Sequence, residues 1–501
     1  MTLVNPIIPG FNPDPSILRV GDTYYVVTST FEYIPGIPVY SSTDLENWER
    51  IGNVITRPEQ GDLGAVQTGL GVWAPTLRYR DGTFYLIITI AGTRGCVVFT
   101  SERAEGPWDD GVVLDGVEGI DPDLAWDEHG VAVVTYSGLV MKGPDFGKHG
   151  GIRQVDVDLA TGEVLAGPRD LWSGTGLKFP EAPHLYRRGD DWYLMIAEGG
   201  TERGHGVSIA RSANARGPFE PGPQNPFLSA RSTNRPIQNT GHGDLVETPD
   251  GRTLMVLLGV RPRGGTQAFS ALGRETFITE VYWDDAGWPS ADPVVLAPRP
   301  GETVETIGFD GPLDNGWLAI RRAPADLADL GSSPGSLTLH GDGADMTAQT
   351  PVFLGRRQLN QTATLSSTVS APGATGGIAV RYDEHTVYSL TVSDDGTVAT
   401  VTAEARVPGI VQRWTAALPS GPVELVLASE PSRTDSMVDM MTSDLVHFVA
   451  RSGDAETTLA AVDGRYLSAE TAASFTGRVL GLFAVQGSVT FDGYRYVGSE
   501  R

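Results

Sequence analysis

One short pattern returns five times in the first 260 residues, and it constrains the fold more than any other feature of the chain. A small or acidic residue is followed by proline, one further residue, an aliphatic, a polar turn and an apolar run. It reads DPSILRVGDTYYVVTS from Asp14, APTLRYRDGTFYLIIT from Ala74, DPDLAWDEHGVAVVTY from Asp121 and APHLYRRGDDWYLMIA from Ala182. The fifth copy, GDLVETPDGRTLMVLL from Gly243, has Asp244 in the place of the proline. The anchors Pro15, Pro75, Pro122, Pro183 and Asp244 stand 60, 47, 61 and 61 residues apart. A recurrence of this kind marks a repeat architecture. Each copy is two short strands about a Gly/Asp turn, the signature of a β-hairpin. A further ~20–30 residues per copy leave room for two more strands, which completes a propeller blade. The chain is therefore expected to be all-β, with a five-bladed β-propeller over residues 1–305.

In a propeller the innermost strands line the axis, so equivalent positions converge. Immediately before the anchors stand Asp14, Ala74, Asp121, Ala182 and Gly243, and one step earlier Pro13, Trp73, Ile120, Glu181 and His242. The repeat thus brings three carboxylates, an indole and an imidazole to one mouth. Asp before Pro also opens ordinary turns, and converging acids also bind cations without doing chemistry. Their joint placement favours chemistry, because crowded carboxylates shift each other's pKa values. The turn acids Asp22, Asp81, Asp190, Asp191 and Asp250 sit where hairpins want Asp and read as structural.

Composition narrows the partners. The net charge of −25 disfavours a phosphate backbone, so no nucleic acid is expected. Cys96 is the only cysteine, which excludes an intrachain disulfide; in its apolar CVVF run it reads as a core thiol. No stretch approaches the ~20 apolar residues of a membrane span. The N-terminus MTLVNPIIPG lacks the basic and apolar regions of a signal peptide, so the sequence as given reads as cytoplasmic. Self-association into a homo-oligomer is left open.

Three carboxylates at one mouth suit glycoside hydrolysis. One carboxyl protonates the leaving oxygen, another activates the nucleophile, and a third can keep the acid protonated by repulsion. Carboxyls on different blades fit the wider separation of an inverting pair, about 6.5–9.5 Å. Sugars also lie with their C–H faces on aromatic rings, and Phe31 and Trp73 are the candidates. Each also reads as a core aromatic.

At this point the chain resembles a known family. NPIIPGFNPDPSI, TSTFEYIPGIPVYSSTDLENW, VWAPTLRY, GIDPDLAWD, EAPHLYRR, AEGGTERGHGVSIARS, TGHGDLVE, LGRETF and DDAGWP occur in the order seen in glycoside hydrolase family 43. The similarity is to its two-domain β-xylosidase/α-L-arabinofuranosidase branch, and it covers nearly all of residues 1–300. It implies that Asp14 is the general base, that Asp121 tunes and orients the acid, and that Glu181 is the general acid. It also implies that Arg274 reaches the bound sugar. His242 matches a histidine that some relatives place beside a water-coordinated calcium; its alternative is a core or substrate-contacting histidine. No cofactor is required, and a structural calcium near the axis is the one metal implied. The chain departs from the pattern at Ala182, where relatives usually carry Gly, and in segments 56–70 and 138–151. Loops of this kind shape a propeller mouth, so those segments bear on substrate choice.

After DDAGWP the pattern stops, and residues 321–330 read as a linker. From 337 onward short runs alternate apolar and polar residues, as in GIAVRYDEHTVYSLTVS, the signature of a β-sandwich. A second domain is expected over 325–501. The resemblance implies a concanavalin-like sandwich with one loop closing the pocket; an independent carbohydrate-binding module is the rival. The expected activity is exo-acting, inverting release of terminal β-D-xylose from xylo-oligosaccharides. The nearest alternative is release of α-L-arabinofuranose from an arabinose-bearing oligosaccharide by the same chemistry, or both activities together. A sugar-binding propeller without catalysis is the third reading.

Overall fold

The computed structural model describes residues 3–500, apart from 265–267, 432–435, 438 and 473–474. Residues 16–291 form five antiparallel sheets, each running outward from the axis in chain order. The innermost strands are Ser16–Val20, Gly71–Arg80, Ile120–Trp126, Glu181–Arg188 and Gln238–Glu247. This is the five-bladed propeller that the repeat predicts. Adjacent blades bury apolar faces against each other. Ile87 and Val98 of blade two, for example, share a core with Leu124, Val134 and Val155 of blade three. The ring is closed by the N-terminal segment: Asn5 exchanges side-chain hydrogen bonds with the Ile278 backbone, and Ile8 bridges to Thr276 of blade five.

Every inner strand carries a two-residue bulge in the same place. Pairing is interrupted between Val72 and Pro75, Ile120 and Asp123, Glu181 and His184, and Gly241 and Asp244. In blade one, Ser29 N donates to Pro13 O and regular pairing begins at Ser16. The bulge explains the prolines of blades one, three and four, because an unpaired position loses nothing when its N–H is absent. It also corrects the alignment of two copies by one residue. The first bulge position holds Asp14, Trp73, Asp121, Ala182 and His242, so Trp73 and His242 are the counterparts of the two aspartates rather than of Glu181. Gly243, and not Asp244, takes the place of the proline in blade five. Asp14, Asp121, Ala182 and His242 all have left-handed backbones, with φ between 50° and 55°. That turn swings their side chains away from the regular pleat.

Below this ring the axis is sealed by a buried polar cluster. Arg78 contacts Asp123 at 2.5 Å and Asp244 at 3.3 Å, while Asp244 also accepts from Ser16 Oγ at 2.6 Å and Tyr186 OH at 2.5 Å. The propeller is consequently a pocket and not a tunnel.

The C-terminal half is a β-sandwich organised by one 21-residue strand, Val479–Ser499. It pairs with Thr303–Ile307, Leu337–Asp342, Val352–Arg357, Thr362–Ser370 and Thr375–Arg381. Gly487 and Gly493, with φ of 71° and 75°, supply the bends that let one strand serve so many partners. The stretch 321–330 is packed into this domain, where Leu327 joins the core. The two domains are joined by main-chain pairing, Ala319 to Ile34 and Ile320 to Tyr33. Arg321 adds bonds to Val66 O at 2.6 Å and Thr68 Oγ1 at 2.9 Å. Within segment 56–70, Arg57 and Gln60 bond to Trp108 and Asp109 of blade two, Val66 and Thr68 meet the sandwich, and the pocket receives only Leu70. Among the described residues, no helix is long and apolar enough to cross a membrane.

Candidate active site

A cavity of about 540 Å³ opens at the axial mouth, and Asp14, Phe31, Trp73, Asp121, Glu181, His242 and Arg274 all line it. Residues spread over 261 positions of sequence thus meet at one place, brought there by the propeller's symmetry.

The three carboxyls sit in different electrostatic surroundings. Burial pushes Asp14 up, but Arg274, then His242 and the Ser29 hydroxyl outweigh it, and the group is held below the usual carboxylate range. Arg274 Nη1 lies 2.8 Å from one oxygen, and Ser29 Oγ donates to the other at 2.6 Å. Burial, Asp121 and Asp14 push Glu181 well above the usual glutamate range. Asp121 is also raised, by burial and by Asp14. Asp121 and Glu181 compete for one proton, and the hydrogen bonding places it. The Ala182 N–H donates to Asp121 Oδ2 at 3.1 Å, which favours the ionised aspartate and leaves the proton on Glu181. One carboxyl held charged and another held protonated in a shared cavity is the division of labour that acid/base chemistry needs.

The apolar surfaces are equally defined. The guanidinium of Arg274 lies 5.7 Å from the Phe31 ring and 5.5 Å from that of Phe475, and the two rings stack 6.1 Å apart. Trp73 is fixed by its indole N–H, which donates to Gly69 O at 2.9 Å. Burial pushes His242 down to about 3, so it is neutral near neutral pH; its Nδ1 is 3.6 Å from Asp14, too far for a hydrogen bond. The calcium expectation fits these residues poorly. Calcium takes six to eight oxygens, yet the axial acids Asp123 and Asp244 are already neutralised by Arg78. Among the described residues no group of three His, Cys, Asp or Glu could hold a metal.

Comparison with known proteins agrees with this geometry. Residues 3–289 match the profile described as glycosyl hydrolases family 43, and residues 307–496 match the β-xylosidase C-terminal concanavalin A-like domain. The chain belongs to glycosyl hydrolase family 43. It is 36% identical over 512 aligned residues to a non-reducing end α-L-arabinofuranosidase of Bacteroides ovatus, covering 96% of this chain and 91% of that one. It is 34% identical to a β-xylosidase of Bacillus subtilis, covering 71% and 72%. Among solved structures, a xylan β-1,4-xylosidase of Bacillus halodurans superposes with a TM-score of 0.87 at 28% identity, covering 99% of both chains.

Several pocket residues of this family 43 chain escape a reading of the repeat. Phe475 comes from the sandwich, where only the packing of one domain on the other brings it to the mouth. Thr201, Glu202 and His205 sit in the AEGGTERGHGVSIARS motif, which signalled the family but carried no individual role. Segment 138–151 supplies Phe146 and His149, and it is one of the two places where the family pattern fades.

Proposed function

We propose that this family 43 glycosidase removes one terminal pentose at a time, with inversion, from the non-reducing end of xylo-oligosaccharides. The observation that carries the reading is the convergence in one axial cavity of Glu181 and Asp121 with Asp14, whose two oxygens are held by Arg274 and Ser29. Glu181 gives its proton to the glycosidic oxygen as the C–O bond breaks. Asp14 takes a proton from a water molecule whose oxygen bonds to the anomeric carbon from the opposite face. The products are a free sugar of inverted configuration and the released alcohol, with the proton now on Asp14; exchange with solvent resets both groups. Asp121 stays charged and keeps Glu181 protonated. Arg274 and Ser29 hold both oxygens of Asp14, which fixes its aim. The chemistry requires no cofactor.

Exo action follows from the shape. The Arg78 cluster blocks the axis below, and Phe31 with Phe475 walls one side, an arrangement that suits a chain end. The alternative sugar is α-L-arabinofuranose, favoured by the likeness to an arabinofuranosidase over nearly the whole chain. Turnover of 4-nitrophenyl β-D-xyloside against 4-nitrophenyl α-L-arabinofuranoside on one preparation ranks the two. Proton NMR of the first-formed anomer tests inversion, and early product of retained configuration would refute it.

A further inference from the structure

A second cavity, of about 470 Å³, lies where blade one, the N-terminal segment and the sandwich meet. Four arginines line it, and it shares no lining residue with the axial pocket. Arg50 comes from the strand Glu49–Ile55 of blade one, and Arg299 from the chain between blade five and the sandwich. Arg356 and Arg357 end the sandwich strand Val352–Arg357.

The charges in this cleft do not balance. Its two carboxylates, Glu305 and Asp314, are both taken by Arg356, at 3.2 and 2.5 Å. The other three guanidiniums find only neutral acceptors. Arg50 donates to Asn53 Oδ1 at 3.2 Å, Arg357 Nε to Phe11 O at 2.8 Å, and Arg299 to the Glu46 carbonyl. A chain with 62 acidic residues and a net charge of −25 thus sets none of them against these three, among the described residues. Burial first, and then Arg357 and Arg356, push Arg50 down to about 10, so the cations are held together against their own repulsion. Partly buried charge of one sign is costly until a counter-charge offsets it. The cleft is also open: Arg299 is exposed and Arg50 only partly buried, whereas Arg357 stands behind them and adds its field.

The surroundings narrow the anion. A guanidinium fork matches the paired oxygens of a carboxylate or phosphate. Trp48 and Arg299 also line an adjoining hollow of about 380 Å³, with Thr23, Ser41, Thr43 and Asn47 along it. A cationic end, an indole and a hydroxyl-lined end together suit a sugar ring that bears an acid group. We propose that this cleft is a second, non-catalytic site that binds an anionic saccharide. Arg50 and Arg299 take its carboxylate or phosphate, and Trp48 lies against the ring.

Isothermal titration calorimetry of the full chain at low salt tests the site. The probes are glucuronate and glucose 6-phosphate, each beside its bare anion (acetate or inorganic phosphate), with glucose as the neutral control. One of the two acidic sugars should bind at least about ten-fold more tightly than its bare anion and than glucose, and which one identifies the acid group. Binding should weaken with added salt. Arg50→Gln and Arg299→Ala should each weaken it about ten-fold. Both variants should turn over a 4-nitrophenyl glycoside at the wild-type rate, since neither side chain lines the axial pocket. Arg299 is exposed, so its variant keeps the test open where Arg50→Gln fails to fold. Binding of neither acidic sugar, or binding unchanged by the substitutions, would overturn the site. Bare anions that bind as tightly as the sugars would overturn the saccharide.

Discussion

Arg274 Nη1 stands 2.8 Å from Asp14 Oδ1, so the carboxylate proposed to activate water is kept charged by an arginine of the adjoining fifth blade. The same guanidinium lies between Phe31 of the propeller and Phe475 of the sandwich. The second domain thereby reaches the protonation state of Asp14: it helps to hold the cation that holds the charge.

Replacing Arg274 by Ala should therefore do two separable things. Loss of a cation aimed at the site should lower kcat/KM by about 10²–10³. Asp14 must be ionised to act, and burial now pushes it up unopposed by its strongest partner, so the acid limb of the pH–rate profile should move to higher pH. Arg274→Lys keeps a charge but not the planar fork or the stacking, and should restore part of that limb. An unmoved acid limb in Arg274→Ala would confine the arginine to holding substrate.

Asp121→Asn probes the other limb. Glu181 must be protonated to act, and after burial the nearby Asp121 charge does most to keep it so. An amide can still accept from the Ala182 N–H while carrying no charge. The basic limb of kcat/KM should move to lower pH, with the acid limb little changed because Asp14 keeps Arg274. A profile displaced on the acid side instead would contradict the assignment of the proton to Glu181.

Glu181→Ala separates proton donation from the rest of the mechanism. A 4-nitrophenyl leaving group departs without a proton, whereas a sugar does not, so the variant should lose far more kcat on a disaccharide than on the aryl glycoside. Losses of equal size would show that Glu181 is not the acid.

The five blades and the converging carboxylates were legible because four of the five repeats carry their strand pattern and a proline together. The alignment slipped by one residue in copies two and five, where the proline sits one place later or is missing. A bulge is a property of pairing, and pairing partners are not written beside the residue they constrain. Arg78 carries no signal in its own segment, since only closure of the ring places it between Asp123 and Asp244. Phe475 and His149 were illegible for a related reason: one depends on how two domains dock, the other on a hairpin outside the family pattern.

Ala182 offers a test of the bulge itself. Its φ of 50° is costly for a residue with a Cβ and free for glycine. Ala182→Gly should raise stability by a few tenths to about 1 kcal/mol, the relief of strain outweighing the added freedom of the unfolded chain. Ala182→Val, β-branched in the left-handed region, should destabilise by more than that. Urea unfolding of the three proteins reads both effects, and activity of Ala182→Gly reports whether the methyl beside Glu181 narrows the pocket.

The axial seal should be the most sensitive point of the propeller. Arg78 is the cation between Asp123 and Asp244, whose side chains are both fully buried. Burial pushes Asp244 up, but His184 and Arg78 outweigh it and hold the carboxyl at about 2. Its folded pKa lies below an unfolded value of about 3.9, so its contribution to stability is complete above pH ~4 and disappears as pH falls toward 2. Arg78→Met leaves two buried carboxylates without their cation and should cost about 3–5 kcal/mol at neutral pH. The deficit should shrink as acid protonates those carboxyls, because a neutral pair no longer needs the arginine. Denaturant unfolding of both proteins at several pH values measures this. A deficit constant with pH would assign the loss to packing of the Arg78 stem rather than to its charge.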